Sequence, residues 1–86
     1  MDEGRTGLVI RIGNMYVREV YYSLLRRPRV ELTSYLEEAR VWRSPKGARQ
    51  ARARMGGGGR ILVVENREGQ RTILGQMGRL DAQTER

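Results

Sequence analysis

The clearest pattern in the chain is near its start. Two β-rich runs, GLVIRI and MYVREVYY, flank Gly13-Asn14. A two-residue Gly/Asn loop suits the primed turns that match strand twist, so the pattern predicts a β-hairpin. Its register places Ile12 opposite Met15 and Ile10 opposite Val17. Leu8, Ile10, Ile12, Met15 and Val17 then share one face, and Val9, Arg11, Tyr16, Arg18 and Val20 share the other. The first face reads as core and the second, of mixed polarity, as partly wet.

Further along, SLLRRPR predicts a turn around Pro28, and RVELT a short third strand. The spacing Ser34-x-x-Glu37 predicts a capping box opening one or two turns over SYLEEA, followed by a few extended residues at RVW. Ser44-Pro45 marks a helix start: Ser caps free amides, and Pro is preset for the first helical position. The helix is expected to run to about Met55, with Ala48, Ala51 and Met55 as a narrow stripe suited to lying close on a sheet. Gly56 is its expected left-handed C-cap. RILVVE reads as a buried strand, NREG as a turn and QRTILG as a last strand. The expected fold class is α+β: a small, mainly antiparallel sheet with one α-helix packed on a face. A single domain is expected over residues 1–76, with a polar, frayed tail over 77–86.

Composition narrows the chemistry. At 86 residues, 38% hydrophobic and 6% aromatic with no Phe, the chain holds one thin core of aliphatic residues, with Trp42 expected as its anchor beneath the helix. A core of this size leaves open a homodimer sharing a sheet face or edge. Lacking Cys and His, the chain excludes disulfides, the usual zinc sets and Ser–His–Asp catalysis. Glu37 and Glu38 are adjacent, so their side chains diverge. Ser44 with Lys46 matches no established nucleophile–base spacing, and the remaining acids form no metal-ligand cluster. The reading is therefore no enzyme, no catalytic residue, no metal and no cofactor. No apolar run approaches the about 20 residues that span a bilayer, and Asp2 and Glu3 at the start argue against a signal peptide. A soluble, cytoplasmic protein is expected.

Charge supplies the one anomaly. The net charge is +7, from 17 basic and 10 acidic residues. From Ala39 to Val64 there is no acid, while Arg40, Arg43, Lys46, Arg49, Arg52, Arg54 and Arg60 supply seven positive charges, so the rest of the chain is neutral. A GC-rich genome also favours arginine codons, which offers a bland source for the excess. These seven are nonetheless the candidate nucleic-acid-binding residues, making phosphate contacts. On a helical wheel Lys46 and Arg49 point away from the alanine stripe, Arg54 lies to one flank, and Arg52 borders the buried face. Arg11, Tyr16 and Arg18 form a secondary candidate face, a stacking platform for single-stranded bases on the hairpin. Arg26, Arg27 and Arg29 around Pro28 could reach a backbone from a loop.

The four glycines after Met55 invite a phosphate-loop reading, but the order is wrong. Phosphate loops run strand, glycines, helix, so that the anion meets the positive helix N-terminus. Here the glycines follow the helix, at its negative end. They read as a C-cap and a link into RILVVE.

The order IRIGNMYVREV … ELTSYLEEARVW … SPKGARQARARMGGGGRILVVE resembles a type of short phage and prophage accessory protein. The matching positions are Leu32-Thr33, Ala39, Val41-Trp42, Ala48, Ala51, Gly56 and Ile61 to Val64. The resemblance implies a ββαβ-like fold and a phage or mobile-element origin, and brings over no binding or catalytic residue. Such proteins include inhibitors of host defence nucleases. Two functions are therefore expected. The first is a basic module that contacts nucleic-acid phosphates. The alternative is a phage-type, anti-CRISPR-like inhibitor docking on an acidic groove of a nucleic-acid-processing protein.

Overall fold

A computed structural model of the chain describes residues 5–23 and 28–77. It contains five strands: β1 (Arg5–Ile12), β2 (Met15–Tyr21), β3 (Arg29–Thr33), β4 (Arg60–Arg67) and β5 (Gln70–Gln76). A 3-10 turn at Leu36–Glu38 and the helix α1 (Pro45–Arg54) lie between β3 and β4. All strand pairs are antiparallel, in the order β3-β2-β1-β4-β5. The expected α+β class holds, with one helix on one face of the sheet.

Local signals set the turns and helix ends. Gly13 alone of the hairpin pair takes a positive φ, 62°, the pattern of a II′ turn. At the second hairpin both Glu68 and Gly69 are left-handed, the pattern of a I′ turn. Ser44 Oγ accepts from the Gly47 amide at 3.0 Å, and Pro45 occupies the first helical position. At the other end Gly56 has φ 98°, its amide donates to the Ala53 carbonyl, and the Gly57 amide donates to the Arg52 carbonyl at 2.8 Å. That pair of bonds is a Schellman cap, so the first two glycines close a helix as expected.

The first hairpin keeps its expected register, with Ile12 opposite Met15, but its ladder is shorter than expected. β1 and β2 pair only at Arg11–Tyr16 and Ile12–Met15, and Ile10 never meets Val17. Instead the Val17 carbonyl accepts from the Arg40 amide at 2.9 Å, and Leu8 exchanges two backbone bonds with Trp42, at 2.8 and 2.7 Å. Residues 40–42 thus enter between the two strands, satisfying backbone groups that a continuous hairpin would have paired internally. This strap needs Gly7, because a Cβ there would collide with the Val41 side chain.

Both faces of the sheet are covered. On one, Leu8, Ile10, Val17, Val20 and Ile61 pack with Ala48 and Ala51 of α1, and Met55 and Trp42 close the edges. On the other, Val9, Leu62 and Val64 pack with Ala39, Leu36, Val41 and Tyr16. The hairpin's second face, expected to be partly wet, is dry at Val9. Val20 moves to the helix side because a register shift between Val17 and Glu19 reverses the alternation there. The predicted capping box at Ser34 does not form. Thr33 takes that place: its Oγ1 accepts from the Tyr35 amide at 3.1 Å and donates to Glu38 at 2.8 Å. Met77, assigned to the tail, is buried in the main core, and the remainder of the tail lies outside the described residues.

Candidate nucleic-acid interface

The seven basic residues of the acid-free window are adjacent in sequence but divided in space. Lys46, Arg49, Arg52 and Arg54 belong to α1, on one face of the sheet. Arg60 opens β4 and alternates with Ile61, which faces the helix, so Arg60 points to the opposite face. Arg43 lies between the strap and the helix. It lines two clefts, one with Arg5, Val41, Asn66 and Arg71, the other with Thr6, Gly7, Leu8, Pro45 and Val63.

Arg40 is held by the fold. Its guanidinium meets Glu19 at 2.8 Å and lies 5.1 Å from the Trp42 ring centroid, a cation–π distance. Arg54 stacks 5.2 Å over the half-exposed Tyr22 ring. Among the described residues, no carboxylate lies within ion-pair distance of Arg43, Lys46, Arg52 or Arg60. The Ala48 and Ala51 stripe is buried and Arg52 borders it, as the wheel predicted. The helical ridge therefore presents positive charge with no acid on α1 itself, beside an arginine-stacked tyrosine.

The residues of the secondary set differ in their surroundings. Arg18 falls at the bulge and pairs loosely with Glu31, at 3.8 Å. Tyr16 is half-buried against the second core. Arg11 has a different neighbour: it is the Cα partner of both Tyr16 on β2 and Arg60 on β4. A row Tyr16–Arg11–Arg60 thus crosses three strands on the face away from α1. Arg11 Nε donates to the Gly13 carbonyl at 3.0 Å. Arg11 and Arg60, with Gly13, Asn14 and Gly58, line an open cleft of about 440 Å³. Arg29 lies opposite Tyr21 on β3, whereas Arg26 and Arg27 fall outside the described residues.

One arginine with a structural task gave no local signal. Arg71 donates through Nε to Asn66 Oδ1 at 2.9 Å and through Nη1 to the Leu36 and Ala39 carbonyls at 2.7 and 3.0 Å. It closes the open carbonyl end of the 3-10 turn onto β5, a contact between residues 32 to 35 positions apart.

Among the described residues, no group of acids could hold a metal ion, and no helix is long and apolar enough to cross a membrane. The chain matches no family model, no curated protein and no solved structure.

Proposed function

We propose that the chain is a non-enzymatic module that binds nucleic acid through its phosphate backbone, in the accessory repertoire of a phage or mobile element. The observation behind this reading is the uncompensated charge of Arg43, Lys46 and Arg52, set against the internal pairing of Arg40 and Arg18. Like charges along α1 repel one another, and a polyanion laid over them removes that repulsion while releasing condensed counterions. Contacts to the phosphate backbone carry no sequence information, so binding through them is sequence-independent and steeply salt-dependent. The Arg54–Tyr22 stack adds a half-exposed aromatic surface at the border of the ridge, suited to an unpaired base.

The test is a fluorescence anisotropy titration of labelled single- and double-stranded oligonucleotides with the parent and an Arg43→Glu/Lys46→Glu variant. Both positions are exposed, so the variant keeps its fold and its melting transition. The expected loss of affinity is roughly tenfold to a hundredfold. Absence of binding by the parent at low salt removes the nucleic-acid reading and leaves an acidic protein surface as the partner.

A further inference from the structure

We infer that the cleft between Arg11 and Arg60 is a second anion site, built for a single phosphate monoester. Three observations converge on it. Arg11 and Arg60 are directly opposed across β1 and β4, so their Cβ atoms stand about 4.5–5.5 Å apart with side chains on the same face. Like charges in that position destabilise a sheet, and among the described residues no carboxylate neutralises either one. The cleft wall is otherwise Gly13, Asn14 and Gly58, so no further charge enters it.

The charge count selects the ligand. Two guanidinium groups carry two positive charges, and a phosphate monoester carries about −1.5 to −2 at neutral pH, whereas a backbone phosphodiester carries a single negative charge. Arg11 is already oriented by its Nε bond to Gly13, leaving its terminal nitrogens for the two-point recognition that a phosphate favours. A Cβ added at Gly13 or Gly58 would meet nothing within 4 Å, so the glycine walls are open to the ligand. The cleft, about 440 Å³ and open to solvent, exceeds a bare phosphate, so whatever the phosphate is attached to can extend outward.

This site does not rest on the helical ridge, which is on the other face of the sheet. The experiment is an amide-resolved NMR titration of the parent with inorganic phosphate at constant ionic strength, repeated with Arg60→Gln and with Arg43→Glu/Lys46→Glu. Saturable shifts confined to residues 11–14 and 58–60 are expected. Loss of one charged bidentate partner should weaken them by about tenfold or more in Arg60→Gln. The Arg43→Glu/Lys46→Glu protein, impaired toward oligonucleotides, should keep the phosphate response. Shifts centred on α1, no shifts in the cleft, or an unchanged affinity in Arg60→Gln would each overturn the assignment. Two further arms identify the source of the monoester. Tighter binding of a 5′-phosphorylated oligonucleotide than of its 5′-hydroxyl counterpart, lost in Arg60→Gln, assigns it to a strand end. Saturation by a nucleoside monophosphate with no such preference assigns it to a free nucleotide.

Discussion

Two cross-strand pairs of like charge are treated in opposite ways. On β2 and β3, Glu19 faces Glu31, and each carboxylate has an arginine: Arg40 at 2.8 Å and Arg18 at 3.8 Å. On β1 and β4, Arg11 faces Arg60, and among the described residues no acid comes near. The repulsion in the first pair is cancelled by side chains delivered from the strap and the bulge. That in the second is left standing. The contrast separates arginines that the fold pairs with carboxylates from arginines with no carboxylate near them among the described residues.

Substitutions sharpen this division, from the largest effect to the smallest. Arg71 lies at the structural extreme, with three hydrogen bonds from one charged group. Arg71→Ala should lower the urea unfolding free energy by about 2–3 kcal/mol, since it removes three hydrogen bonds from a charged donor, including the one to the Ala39 carbonyl, while the Leu36 carbonyl keeps the Ala39 amide. Arg40→Ala leaves Glu19 opposed to Glu31 and removes the stack on Trp42. Its side chain is 41% exposed, so solvent screening holds the loss to about 1 kcal/mol. Arg60→Gln has the opposite sign. Relieving the pair with Arg11 should raise stability by roughly 0.5 kcal/mol, a small upward shift of the urea midpoint without a change in slope. A loss on Arg60→Gln would mean that Arg60 is a structural arginine and that the comparison fails.

What the sequence disclosed was local. The Gly13-Asn14 turn, the Ser44-Pro45 start and the glycine cap of α1 each depend on neighbours within a few residues, and all three form as expected. The Ile10–Val17 pair was misread because its competitor, the strap at residues 40–42, lies over twenty positions downstream of Val17. The capping box at Ser34 lost to Thr33, whose hydroxyl sits at the end of β3 already aligned with the turn. The spatial grouping of the candidate residues differs for the same reason. Charge density along the chain marked the acid-free window, yet it grouped Arg60 with α1, and the hairpin's alternation grouped Arg11 with Tyr16 and Arg18 but not with Arg60. Only the β1–β4 register, a pairing about fifty residues apart in sequence, joins Arg11 to Arg60. Arg71 was invisible for that reason too: two of its three acceptors are backbone carbonyls on a distant turn, which no side-chain motif encodes.

The salt dependence of oligonucleotide binding tests the central claim most directly. If uncompensated cations on this surface meet phosphates, the logarithm of the association constant should fall linearly with the logarithm of salt concentration. Three to four such contacts give a slope of about −3 to −4 on duplex DNA, and Arg43→Glu/Lys46→Glu should flatten it by about two. Binding that is absent near 50 mM salt, or that persists unchanged to roughly 200 mM, would contradict the account.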